Sequence, residues 1–339
     1  MPLRCASVFR SLPRGLLDCT AYRPEKYINA MKLQCLIAFF CTCCASGRYN
    51  RLMNRILEVI KISRPGFWPT HLWFYLLPFA QQDMFGSVAF WLGAVYVCLP
   101  MSLLTFGWND IGDSATDSIN VRKGSWLFGA SPDEPMRRGL PWIMIAVQVP
   151  FLVAFVWIAG WKMLGWFAAF VAANACYNSF KLKSLPWLDL LNQVGYLLVF
   201  VLASWLCSVD QLNAPAMIFS ALFAMHSHLF GQIMDVDEDA AVGRQTTAVS
   251  LGTDRNGVRL SKLLLAGILT AEATIAFCFF RGWVIGLFSV AAAGFFLLDA
   301  CFGPRRYPLV FVRVFFIAWN LIAISTMHVI WRYGLFVLG

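Results

Sequence analysis

Long apolar runs separated by short polar loops dominate the chain from residue 65 onward. Nine such runs fall at roughly 65–81, 84–106, 140–160, 162–177, 186–207, 214–231, 262–280, 283–302 and 308–331. Each is close to the roughly 20 residues that a helix needs to cross a bilayer. The pattern predicts an all-α, polytopic transmembrane bundle of about nine helices. Only Gly160-Trp161 separates the third and fourth runs, and only Arg281-Gly282 the seventh and eighth, so both pairs read as tight helical hairpins. Pro65, Pro69, Pro78, Pro100 and Pro150 do not veto the helices, because backbone groups freed inside a bundle find partners on neighbouring helices or in water. Residues 33–45 are apolar but too short to span, and read as interfacial or as part of a targeting segment.

Composition agrees. Of 339 residues, 59% are hydrophobic and 13% charged, against about 25% charged in a soluble domain. A net charge of +9 would suggest nucleic acid in a soluble protein. Here the excess lies in the N-terminal segment and in alternate loops, so topology accounts for it and no nucleic-acid partner is expected. Residues 1–60 form a basic, interfacial N-terminal segment, and 61–335 the membrane domain. Arg4, Arg10, Arg14 and Arg23 resemble an organellar presequence; a basic tail, or a start at Met31 or Met53, fits the same residues. Of eleven cysteines, only Cys41, Cys43 and Cys44 lie close together. With no histidine partner at zinc spacing, the cysteines read as small apolar residues of a membrane core.

Lysines and arginines set the orientation. Arg48, Arg51, Arg55, Lys61 and Arg64 precede the first span. Arg122, Lys123, Arg137 and Arg138 follow the second, and Lys181 and Lys183 the fourth. Arg244, Arg255, Arg259 and Lys262 follow the sixth, and Arg305 and Arg306 the eighth. The opposite loops hold Lys162 and Arg281, with Arg332 at the C-terminal end. The positive-inside rule places the basic face on the cytoplasmic or equivalent side of a cell or organellar membrane.

Ten of the 18 acidic residues lie in two loops on that basic face. The first reads Asn109-Asp110-x-x-Asp113-x-x-x-Asp117, and the second Gln232-x-x-Asp235-x-x-x-Asp239. The positions match at an offset of 122 residues, which points to an internal repeat with two facing clusters. Spacings of three and four put the carboxylates on one face of a helix continuing each span. Like charges so placed repel unless a cation sits among them. Hard oxygen ligands suit Mg²⁺, which bridges to substrate phosphates. Two facing clusters can hold a diphosphate between metal ions that offset charge on a leaving group. One such cluster alone would also fit solvated loop acids or helix caps. Tyr177 and Lys181, about one helical turn apart, can point a hydroxyl and an ammonium at one anion, or can be interfacial anchors. Arg64, Arg122 and Lys123 are further candidates to reach a phosphate.

Together these residues resemble the UbiA-type membrane prenyltransferases. The matching positions are Asn109-Asp110-x-x-Asp113-x-x-x-Asp117, Tyr177-x-x-x-Lys181-x-Lys183 and Asp235-x-x-x-Asp239-x-x-x-Gly243-x-x-Thr246, with Arg64-Pro65 similar to an entry motif on the first helix. The resemblance covers about residues 60–335. It implies nine helices around a central cavity, two Mg²⁺ ions, and an isoprenyl diphosphate that ionises to an allylic cation and alkylates a lipophilic acceptor. Asn109, Asp110, Asp113, Asp117, Asp235 and Asp239 would hold or orient the metals. Arg64, Tyr177 and Lys181 would bind the diphosphate. Gln232 departs from the pattern, because the family often has an aspartate there; an amide binds metal or water without adding charge. Asn120-Val121-Arg122-Lys123-Gly124 resembles carotenoid-elongating branches. Thirty Phe and 14 Trp offer faces to a cation and a prenyl tail. Two other functions use the same features: a terpene cyclase of this type, without an acceptor, and a cation-coupled transporter. The transporter fits less well, because the acids sit at span ends while Asp189, Glu272 and Asp299 lie scattered within spans.

Overall fold

The structure, a computed structural model, describes residues 48–113, 117, 119–280 and 283–333, with side chains as far as 327. The basic segment 1–47, the 33–45 stretch and the Arg281-Gly282 turn lie outside the described residues. Helix α1 spans Arg48–Ile62, and the compact unit described below begins at Leu57.

The remaining helices are α2 (Trp68–Leu76), α3 (Val88–Cys98), α4 (Pro100–Gly112), α5 (Glu134–Ala159), α6 (Lys162–Asn178), α7 (Leu188–Leu191), α8 (Leu198–Cys207), α9 (Ala214–Met234), α10 (Val236–Ala241), α11 (Thr247–Leu251), α12 (Arg255–Phe279), α13 (Trp283–Phe302) and α14 (Leu309–Tyr333). Among the described residues, pairing between extended segments is limited to one bridge, Ser125 with Gly129.

Seven segments are long and apolar enough to span: α3–α4, α5, α7–α8, α9, α12, α13 and α14. The first and fourth expected spans are also helical, but shorter. α2 closes in a 3-10 turn at Leu77–Phe79, and α6 has 17 residues. The count of nine is therefore approximate.

Local chemistry sets the boundaries. Ser87, Asp133, Asn213 and Asp254 accept from the backbone amides of Phe90, Met136, Ala216 and Gly257, which caps α3, α5, α9 and α12. Pro100 starts α4 straight after α3, where its missing N–H costs nothing. Gln148 of α5 donates to the Pro100 carbonyl and accepts from Tyr96, so the bend is tied to a neighbouring helix. Gly160, at φ 81 and ψ −173, makes the α5–α6 hairpin in a conformation that side chains avoid.

Two buried clusters hold the bundle together. One packs α2–α6, α8 and the start of α9; the other packs the end of α9 with α12, α13 and α14. Val153 and Trp157 on α5, Leu298 and Phe302 on α13, and Val310 and Leu321 on α14 point outward and exposed. In water such surfaces would associate; in a bilayer they meet acyl chains. The chain is an integral membrane protein.

Candidate active site

The helix bearing the first acid motif does not continue as the spacing implies. α4 ends at Gly112, and Asp113 leaves the helix at φ −105, ψ 19. The second motif does the same. α9 ends at Met234, and Asp235 sits at φ −106, ψ 9. The Asp113 amide donates to the Asn109 carbonyl at 3.0 Å, and the Asp235 amide to the Gly231 carbonyl at 3.1 Å. The Asp117 amide then donates to Asp113, and the Asp239 amide to Asp235, each at 2.8 Å. The repeat seen in the sequence is thus repeated in the backbone.

The break splits the carboxylates of the first motif. Asp110 and Asp117 converge on Lys123, whose Nζ lies 2.6 Å from Asp110 Oδ1 and 3.0 Å from Asp117 Oδ2. Arg64 adds a 2.9 Å contact to Asp110 while lying over the Phe106 ring. Gly129, at φ +96, leaves room for the Arg64 stem; a Cβ there would stand 2.9 Å from Arg64 Cγ. Asp113 turns the other way, to Lys183 Nζ at 2.6 Å and Arg244 at 2.5 Å. Lys183 also donates to Asn109 and Asn178.

The two motifs exchange arginines. Arg244 follows the second motif and contacts Asp113 of the first as well as Asp239, the latter at 3.1 Å. Arg122 follows the first motif and pairs with Asp235 of the second, beside Asn120. Arg122 and Arg244 are themselves 122 residues apart. Five aspartates thus meet five cations: Arg64, Arg122, Lys123, Lys183 and Arg244. Next to Arg122, a cavity of about 450 Å³ opens between Asn120, Met234, Glu238 and Tyr307.

Burial perturbs these groups. It pushes the Asp239 carboxyl up to about 7, with Arg244 opposing. It raises Asp117 against the pull of Lys123, and lowers Lys183 against that of Asp113. For Arg64 and Arg244 burial disfavours the charge, but their aspartates outweigh it and hold both above the ordinary value.

Two expectations need correction. Lys181 does not share a helical face with Tyr177, because α6 stops at Asn178; Lys181 lies exposed at φ 57, outside the cluster. Lys183, after a 3-10 turn, is the lysine that reaches the acids. Tyr177 is half-buried nearby, its hydroxyl 3.3 Å from His228 Nε2. Gln232 does not aim at the acids. Its Nε2 donates to buried Asp189 at 2.6 Å, and its Oε1 accepts from the Ala248 amide. Asp189 also accepts from the amide and hydroxyl of Thr247. An aspartate at 232 would set a second buried carboxylate against Asp189, so the amide is the residue this neighbourhood accommodates. Asp237 and Glu238 pair away from Gln232, with Arg305 and Arg306.

Arg244, Asp189 and Thr247 did not emerge as individual candidates from the sequence, and Lys183 did so only as a position of the matched motif. Arg244 had one available signal, the 122-residue offset from Arg122. Asp189 had none beyond being an acid within a span.

Among the described residues, no three acidic, histidine or cysteine side chains gather closely enough to chelate a metal alone, because the cations stand between them. The donor chemistry nevertheless fits Mg²⁺. Asp110 Oδ2 is buried with no hydrogen-bond partner among the described residues, and Asp117 Oδ2 beside it meets only Lys123. Such hard oxygens are what Mg²⁺ takes.

A bundle of membrane-spanning helices with duplicated aspartate motifs at the ends of two spans defines a class of polytopic membrane enzyme. The model of the UbiA prenyltransferase family matches residues 67–325, and the chain belongs to that family. Among curated relatives, a lycopene elongase/hydratase of Corynebacterium glutamicum is 27% identical over 249 residues, covering 70% of this chain and 82% of that one. A lycopene elongase/hydratase of Haloferax volcanii is 29% identical over 215 residues, covering 60% and 68%. A UbiA homologue from Archaeoglobus fulgidus bound to DMAPP and Mg²⁺ superposes with a TM-score of 0.59 at 14% identity, covering 80% of this chain and 98% of that one. The same homologue bound to GPP and Mg²⁺ gives 0.55. At that identity the likeness shows the fold.

Proposed function

We propose that this protein transfers an isoprenyl group, in a Mg²⁺-dependent reaction, from a prenyl diphosphate to an acyclic polyene of the carotenoid type. The observation that carries the reading is the reciprocal pairing of Arg122 with Asp235 and Arg244 with Asp113. It gathers acid motifs 122 residues apart into one polar cluster with as many cations as carboxylates. The relatives' activity on lycopene and the resemblance of Asn120–Gly124 to carotenoid-elongating branches support the acceptor class.

Asp110 and Asp117, with Asn109, would hold one ion, and Asp235 and Asp239 a second. Bound Mg²⁺ would supply Lewis-acid stabilisation of the departing diphosphate. Arg64, Lys123, Lys183, Arg122 and Arg244 take the diphosphate oxygens and hold its charge as the carbon–oxygen bond breaks. Below them Phe106, Phe67, His71 and Tyr196 adjoin one another with centroids 5.2–5.8 Å apart, offering ring faces to an allylic cation. The low polarity of that wall keeps water from the cation until an acceptor double bond reaches it. The basic loops, with this cluster, face the cytoplasmic-equivalent side.

The test incubates membranes carrying the protein with Mg²⁺, prenyl diphosphates of five to twenty carbons and lycopene, and identifies lipid products by mass spectrometry. A lengthened polyene, lost with EDTA and in Asp113→Ala, is expected. A cyclic hydrocarbon or alcohol made without any acceptor would replace this reading with a cyclase.

A further inference from the structure

Glu272 is an acid in the middle of α12, and the polar cluster does not use it. It is 1% exposed, and its Oε1 lies 2.5 Å from Nδ1 of His226 on α9. A carboxylate at this depth is costly. A buried ion pair rarely adds stability over apolar residues of the same volume. Packing therefore does not account for the pair.

His226 has one nitrogen left. Among the described residues its Nε2 makes no hydrogen bond, and the side chain keeps 10% of its surface accessible. The ring lies 4.9 Å from Phe223 and 6.4 Å from Trp319, centroid to centroid. Those rings end an aromatic run that begins at the polar cluster. Arg64 covers Phe106; Phe106 adjoins His71, His71 adjoins Tyr196, Tyr196 adjoins Phe74, and Phe74 adjoins Phe223. Along α9, His226 lies nine positions before Asp235, about 14 Å at the helical rise. A diphosphate at the cluster would place its reactive carbon between the two.

We propose that His226 is the base that ends the reaction, with Glu272 as its positioning residue. This rests on the prenyl-transfer reading above. When the carbon–oxygen bond breaks, its electron pair leaves with the diphosphate. The allylic carbon then takes the π pair of the acceptor's terminal double bond, leaving positive charge on the adjoining acceptor carbon. A neighbouring C–H bond gives its pair to a new double bond, and its proton passes to His226 Nε2. Glu272 accepts from Nδ1–H, which fixes the tautomer with Nε2 unprotonated and stabilises the imidazolium once formed. The proton goes to water as product leaves.

The test uses the full-length protein in proteoliposomes with Mg²⁺, the prenyl diphosphate and the polyene. His226→Ala and Glu272→Gln are compared with wild type. Binding of a non-ionising prenyl thiolodiphosphate should stay within about twofold in both, which also reports that each variant is folded. Product formation should fall by about 10²-fold or more in His226→Ala, and its kcat, not its KM, should change. Imidazoles added to His226→Ala should restore product in order of their basicity, while thiazole, of similar shape but weakly basic, should not. Unchanged kcat and products in His226→Ala would overturn the inference, as would equal rescue by thiazole. Failure of wild type to bind the thiolodiphosphate or to lengthen the polyene would instead remove the proposed function.

Discussion

Gln232 carries much of what is individual to this chain. Its amide donates to Asp189 and accepts from the Ala248 backbone, a double role that a carboxylate cannot fill. Gln232→Leu should leave both partners unmatched and cost roughly 1–3 kcal/mol, read as a lower unfolding midpoint in detergent with diphosphate binding weakened. Gln232→Glu keeps the length but opposes Asp189, and should lower the midpoint at least as far. Asp113 is held by two cations from different parts of the chain. Asp113→Ala and Arg244→Ala should each weaken prenyl diphosphate binding. Their double variant should fall short of additivity by roughly 0.5–3 kcal/mol, as measured by calorimetric titration with Mg²⁺ present. If the two effects simply added, the contact between the motifs would have no energetic meaning.

Among the elements, the helices that end early matter most. α4 and α9 both stop one residue before the middle aspartate of their motif, and the chain resumes helical hydrogen bonding at the next turn. An unbroken helix would keep Asp110, Asp113 and Asp117 on one side. The break sends Asp113 toward α9's loop and leaves Asp110 with Asp117. The spacing alone did not reveal this, because offsets of three and four fit a straight helix equally well. α6 ends early too, which removes Lys181 and admits Lys183. The α5–α6 hairpin was legible, since Gly160 stands between two apolar runs with nothing else to turn the chain. Gly160→Ala should cost roughly 1–3 kcal/mol at that φ and ψ, visible as a lowered thermal midpoint with diphosphate affinity unchanged.

Across the whole molecule, the repeat relates Asp113 to Asp235 and Arg122 to Arg244, and each arginine crosses to the other copy's aspartate. The exchange ties the two halves at their polar ends, while two apolar clusters that share α9 pack the helices below. Topology follows from the same arrangement. Single cysteines at Arg137 and Arg305, in a background without native thiols, should react with an impermeant maleimide from the cytoplasmic-equivalent side of sealed vesicles. One at Lys162 should react from the opposite side. Labelling of all three from one side would reverse the orientation read from the basic loops.

The sequence by itself determined the bundle, its spans and the spacing of its acid motifs. Those are properties of contiguous residues, because burial in lipid demands unbroken apolar stretches whatever the fold around them. Tertiary structure alone decided the partners. A lysine two positions off the expected one, an arginine from the far loop, an acid within a span that holds Gln232, and a histidine beside Glu272 are brought together by helices meeting in space. No local pattern encodes those meetings, since each pair depends on two separate segments and on where their helices stop.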